Sequence, residues 1–204
     1  MRPVAGLLIA YLAGSIPFAF LAGKLFRGID LRQHGSGNLG ATNVFRVMGW
    51  KIASVVMLLD MAKGALPVLL LPPRLAPASP TLWAIAFGVA AIVGHVRSVF
   101  LLWKGGGKGV ATAGGVFLAL APIPFLISIA AWGIVLYLSG YVSLASLTGA
   151  VALTVAVIVR DGVRSPVAIA CVVICLFVFW THRANIGRLR RGEENRFRRA
   201  RPAV

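Results

Sequence analysis

The sequence predicts an all-α integral membrane protein of about seven transmembrane helices, with the N-terminus outside and the C-terminus cytoplasmic. Three observations predict this. Of 204 residues 59% are hydrophobic and only 13% charged, with a mean hydropathy of +0.88, which is too apolar to coat a soluble domain. Apolar runs close to the length of a bilayer crossing recur along the chain. The basic residues, which carry a net charge of +16, sit at the ends of those runs rather than on one polar face.

The spans are read in order at 4–24, 52–71, 81–102, 110–121, 124–139, 143–159 and 165–181. The first begins after Arg2 and is stopped by Lys24 and Arg27, with no clear small-x-small cleavage site, so it is read as an uncleaved span. The fourth and fifth are separated only by Pro122 and Pro124, which fit either a hairpin or a kink in one long span. Charge chooses between seven crossings and six. With seven, the 24–51 loop (Lys24, Arg27, Arg32, Arg46, Lys51), the 97–108 segment (Arg97, Lys104, Lys108) and eight basic residues between 183 and 201 share one side. The other side holds Arg2, Arg74, Arg160 and Arg164, with Asp161. Six crossings would place the basic tail opposite the two basic loops, against the positive-inside bias. Residues 1–197 are read as a single transmembrane domain and 198–204 as a basic, disordered C-terminal tail near anionic head groups. This placement of charge argues against a nucleic-acid partner. Cys171 and Cys175 lie four apart in an apolar run and read as small hydrophobes, not a disulfide or metal pair.

Three segments carry candidate chemistry. In 31–46, Gly35, Gly37 and Gly40 formally match a dinucleotide fingerprint, but no βαβ unit accompanies them. Ser36, Asn38, Thr42, Asn43 and Arg46 surround those glycines with donors suited to an oxyanion, where a merely flexible loop would not need them. In 103–112, Lys104, Gly105, Gly106, Gly107, Lys108 and Gly109 lack P-loop spacing. Exposed backbone N–H groups, a lysine and an immediate helix start still favour phosphate over a plain glycine hinge. In 181–194, His182 and Asn185 lie three apart on one helical face, within a basic stretch that could otherwise serve only to orient the last span.

Asp60 and Lys63, three apart within a span, read as a structural ion pair. His95 fits either a pocket wall or a helix cap. No carboxylate cluster, metal-ligand spacing or serine-hydrolase elbow is visible, so no metal is expected. A site of cations and neutral donors binds anions and stabilises oxyanions.

Together the three segments resemble the bacterial acyl-phosphate:glycerol-3-phosphate acyltransferase family (PlsY-type). The resemblance rests on Gly35-Ser-Gly-Asn-Leu-Gly-Ala-Thr-Asn43, on 104–112, and on His182-Arg-Ala-Asn-Ile-Gly-Arg-Leu with Gly192-Glu-Glu194. It extends to Ala13-Gly-Ser-Ile-Pro17, Leu59-Asp-Met-Ala-Lys-Gly64 and Gly94-His95, nearly end to end. Two departures stand out: three glycines precede Lys108 where the family has two, and Arg97-Ser98 replaces an aromatic–proline pair.

The resemblance implies acyl transfer from acyl-phosphate to the 1-hydroxyl of glycerol 3-phosphate, giving 1-acyl-glycerol 3-phosphate (lysophosphatidate) and phosphate, as a step of phospholipid synthesis. The substrates and membrane lipid are the implied partners, with no cofactor and a location in the inner (plasma) membrane, the site loops facing the cytoplasm. It implies Ser36, Arg46, Lys108, His182 and Asn185 as catalytic, and Gly35, Gly37, Asn38, Thr42, Asn43, Lys104, Gly105, Gly106, Gly107 and Gly109 as phosphate-binding. Either His182 or a substrate phosphate oxygen would take the proton, and Glu194 would be structural. The main rival is a phosphate or anion transporter or channel, though neither repeated halves nor a midplane site is evident. A membrane scaffold would leave the glycine-rich loops unexplained.

Overall fold

The computed structural model describes residues 2–197, and every regular element among them is helical. The expected tail at 198–204 lies outside the described residues. Two compact units result, one ending at Leu120 and one beginning at Ala121.

The first unit contains α1 (Arg2–Ser15), α2 (Phe18–Arg27), α3 (Ala41–Met48), α4 (Trp50–Leu70), α5 (Pro72–Leu75), α6 (Pro80–Val96) and α7 (Val110–Leu120). Short 3-10 turns occupy Leu31–Gln33 and Val99–Leu101. The first apolar run breaks at Pro17, which has no N–H to continue the helix. Small residues set the packing. A Cβ on Gly14 would overlap the Ala91 carbonyl, and one on Gly94 would overlap that of Tyr11, so α1 and α6 touch backbone to backbone. Gly64 against Thr112 and Gly115 against Met61 do the same for α4 and α7. Lipid is as apolar as leucine, so close backbone contact rather than hydrophobic exclusion holds such helices together.

Helix α3 falls inside the segment read as a loop. Its Val44 and Met48 are buried with Ala19, Ala22, Leu31, Leu39, Ala53 and Val56. Only two turns long, it has an amphipathic face but no span-length signal.

The second unit contains α8 (Pro122–Ser139), α9 (Val142–Asp161), α10 (Pro166–Thr181) and α11 (Arg183–Arg190). Gly140, at φ 74°, closes α8 and lets α9 pack back on it, where Ser128 Oγ donates to the Gly149 carbonyl at 2.7 Å. Ser165 caps α10 by accepting from Ala168 N at 3.1 Å. Ala121, at φ −149° and ψ 65°, is non-helical, so α7 and α8 are separate helices rather than one continuous helix.

Among the described residues, five helical stretches are long and apolar enough to cross a bilayer: Arg2–Arg27, Trp50–Leu75, Pro80–Leu101, Pro122–Ser139 and Val142–Asp161. Pro166–Thr181 with Arg183–Arg190, bent by 59°, makes a sixth if taken as one span. Helix α7, at 11 residues, is apolar but short. Large apolar side chains such as Val159, 81% exposed, cover the outer faces, as a lipid-facing surface requires.

Candidate functional site

The first segment is a tight turn closed onto α3. Asn43, only 1% exposed, is its strut: Oδ1 accepts from Ser36 N at 2.8 Å, while Nδ2 donates to the carbonyls of His34 (3.0 Å) and Leu31 (3.3 Å). Gly35 has φ 64°, and a Cβ there would overlap Asn43 Oδ1, so the strut and the glycine require one another. Ser36 and Gly37 are exposed at the tip, Asn38 is half-buried, and Thr42 and Arg46 stand on α3 with Arg46 exposed. Asn43, expected to bind phosphate, thus spends its amide group inside the turn.

The second segment is moulded onto the C-terminal end of α6. Gly107 N donates to the His95 carbonyl at 3.3 Å. Gly105 and Gly109 take φ values of 93° and 82°. Lys104 is exposed, and Lys108 is half-buried two residues before α7 begins at Val110.

The first two segments meet. Leu39 N donates to the Gly106 carbonyl at 3.4 Å, and Arg32 Nη1 donates to the Lys104 carbonyl at 3.2 Å. The guanidinium of Arg32 is aimed by Asp30, 2.7 Å away, and lies over the Phe20 ring. That guanidinium beside Asp30 holds the carboxyl down at about 2, well below the usual carboxylate range. Under the meeting point is a narrow, partly open recess whose walls include Leu39, Asp60, Lys63, His95, Gly106 and Gly107. Asp60 and Lys63 form the expected ion pair, at 2.7 Å, and Lys63 also donates to the Ile16 carbonyl at 2.8 Å. His95 is a wall of this recess rather than a helix cap.

The third segment belongs to the second unit. His182 is buried at the bend between α10 and α11, and its Nδ1 donates to the Val178 carbonyl at 2.8 Å. In a neutral ring that bond leaves the lone pair on Nε2. Asn185 Nδ2 and Ser143 Oγ both donate to Glu194 Oε1, at 2.6 and 2.9 Å, and Arg188 Nε donates to Oε2 at 2.6 Å. Burial pushes the Glu194 carboxyl up, but the bonds from Asn185, Arg188 and Ser143 outweigh it and hold the group below its ordinary value.

Arg32, His95 and Ser143 join these clusters, although the sequence marks neither Arg32 nor Ser143 as a site residue and fits His95 equally to a pocket wall or a helix cap. Arg32 carried a weak signal, as an arginine two residues beyond an aspartate at the mouth of a glycine-rich turn. Ser143 had none, being one of several hydroxyl residues, with Ser139, Ser146 and Thr148, around the start of an apolar run.

Residues 4–192 match the family described as Glycerol-3-phosphate acyltransferase. The chain is 46% identical over 184 residues to the glycerol-3-phosphate acyltransferase of Geobacillus kaustophilus, covering 90% of each chain. It is 47% identical over 191 residues to the one from Myxococcus xanthus, covering 93% of this chain and 97% of that one. A crystal structure of PlsY, an integral membrane glycerol 3-phosphate acyltransferase in its glycerol 3-phosphate form, superposes with a TM-score of 0.89 at 38% identity, covering 97% of this chain and 96% of that one. The lysophosphatidic acid form gives a TM-score of 0.85 at 38% identity, covering 96% and 95%.

Proposed function

The chain belongs to the glycerol-3-phosphate acyltransferase family, and from that membership we propose that it moves a fatty acyl group from acyl-phosphate to the 1-hydroxyl of glycerol 3-phosphate. The hydroxyl oxygen attacks the acyl carbonyl, a C–O ester bond forms, and the bond from that carbon to the phosphate oxygen breaks. Inorganic phosphate leaves, and the hydroxyl proton passes to a phosphate oxygen or to His182. The product is 1-acyl-glycerol 3-phosphate.

Acyl-phosphate is an activated mixed anhydride, so placement of the hydroxyl and control of negative charge are the main demands. Alignment alone can supply ~7–11 kcal/mol of barrier reduction. The observation that carries the reading is the junction of the first two segments through Leu39–Gly106 and Arg32–Lys104. It sets the Ser36 turn and α3 next to the N-terminus of α7, where orphan N–H groups and the helix dipole favour phosphate. In this reading Ser36 and Arg46 hold the acyl-phosphate, and the 105–109 backbone with Lys108 cradles glycerol 3-phosphate. His182 and Asn185 orient an attacking hydroxyl; the Nδ1 bond to Val178 supports Nε2 as the acceptor.

Seven crossings, an external N-terminus, the inner membrane and cytoplasmic loops complete the proposal, supported by the charge bias. The 11 residues of α7 rise only about 16 Å, against a hydrocarbon thickness of about 30 Å. A helix this short as a fourth crossing would let the 105–109 loop sink below the head groups, where a lipid tail and a polar acceptor can meet.

The deciding experiment incubates the purified protein with acyl-phosphate and glycerol 3-phosphate. Lysophosphatidate and phosphate in equal amounts are expected. Anion flux through reconstituted vesicles without ester formation would favour the transporter and reject the assignment.

A further inference from the structure

The Asp60–Lys63–His95 cluster lies outside the three motifs, yet it is built against the second one. Lys63 donates to the Ile16 carbonyl at the break between α1 and α2, and its Nζ is 2.7 Å from Asp60 Oδ1. Behind Asp60 stands His95, with Nδ1 3.6 Å from the same oxygen. The ring's other nitrogen, Nε2, fills the space that a Cβ on Gly107 would need. The His95 carbonyl also receives the Gly107 N–H, and the Val96 carbonyl fills the space beside Gly106. Two consecutive glycines therefore lie flat on the last turn of α6, pressed from below by a histidine ring that a buried carboxylate faces from behind. All three side chains are under a tenth exposed, so none has room to relax by swinging into solvent.

We propose that His95 is a positioning residue for the glycerol 3-phosphate cradle, its imidazole wedged between Asp60 and Gly107 so that the 105–109 backbone keeps its anion-binding form. The proposal rests on reading 105–109 as that cradle. A loop rich in glycine has little stiffness of its own, and its N–H groups bind an anion well only when their directions are held in advance. The ring supplies that rigidity from the α6 side of the loop. The same packing accounts for glycine at 107, where any side chain would displace the ring.

The test is kinetic, on full-length variants in detergent, with thermal melts to establish folding. His95→Asn keeps a polar group near Asp60 but withdraws atoms from Gly107. It should raise KM for glycerol 3-phosphate about tenfold, leave KM for acyl-phosphate unchanged, and hold kcat within about twofold. His95→Gln, whose amide reaches the place of Nε2, should restore most of the affinity. Gly107→Ala should be strongly impaired, and adding His95→Ala should recover at least about tenfold in kcat/KM by vacating the space. Equal damage from Gly107→Ala with and without the ring overturns the proposal, as does an unchanged KM in folded His95→Asn while Lys108→Ala raises it. If Lys108→Ala also leaves KM unchanged, the cradle reading itself has failed.

Discussion

Asn185 donates from Nδ2 to Glu194 Oε1 at 2.6 Å, and through this bond the extended chain beyond α11 becomes part of the third motif. Ser143 and Arg188 complete the cluster, while Phe197 N donates to the Gly140 carbonyl at 2.6 Å and docks the same segment against the α8–α9 turn. Glu194 thus orients Asn185. Glu194→Gln should lower thermal stability at neutral pH by about 2 kcal/mol, since charge-assisted bonds become neutral ones.

The same carboxylate sets a pH dependence whose sign follows from its depressed value. A group with a lowered folded pKa stabilises fully above the unfolded value, and the effect fades as pH falls through the folded one. The ordinary value is 4.5 and the folded one lies below it. Wild-type melting temperature should therefore drop more steeply than that of Glu194→Gln between about pH 5 and pH 3. Parallel melting curves for the two proteins would show that Glu194 is not the group responsible.

Asn43 offers a separate test of the first motif. Asn43→Asp retains the acceptor for Ser36 N but removes both donors and sets a carboxylate against the carbonyls of His34 and Leu31. The turn should open while α3 stays seated on Val44 and Met48. Turnover should fall about 10- to 100-fold from displacement of Ser36, with helical circular dichroism unchanged. Full activity in the folded variant would remove Asn43 from the positioning of Ser36.

The fold was readable wherever length in the apolar direction decided it, and the candidate site only where composition did. Long runs such as Val142–Asp161 declare themselves because a bilayer demands about 20 apolar residues. Helix α3 did not, since two turns buried on one face leave a pattern no clearer than a loop. The glycine clusters raised the expectation of anion binding, but composition reports which donors exist and not where they point. Asn43 turned inward to hold the turn, whereas the exposed Ser36 and Arg46 remain directed away from the core. Ser143 entered only through Glu194, a contact across 51 residues that no local spacing can reveal.

Arg46 and Lys108 are the cations on which the electrostatic part of the reading depends. Each is replaced by alanine, with folding checked by thermal melt. Losing one group that meets developing charge costs ~100- to 1000-fold in rate, and losses of that size are expected for both Arg46→Ala and Lys108→Ala. Near-normal turnover in either folded variant refutes the role given to that residue.

The ion pair of Asp60 and Lys63 should behave as a buried pair does, expensive to break and cheap to replace. Both side chains are almost inaccessible, at 2% and 6% exposure. Asp60→Asn leaves the Lys63 ammonium beside the Phe18 ring, 5.3 Å from its centroid, with the Ile16 carbonyl as its remaining close polar contact. A lone cation there should cost about 3–5 kcal/mol of stability. Replacing both, as Asp60→Leu with Lys63→Met, removes two desolvated charges along with their attraction, so the double variant should melt within a few degrees of the wild type. Its activity should nonetheless fall, because His95 then faces leucine rather than a carboxylate. A double variant as unstable as Asp60→Asn would mean that packing around α4, and not charge pairing, is what the two residues supply.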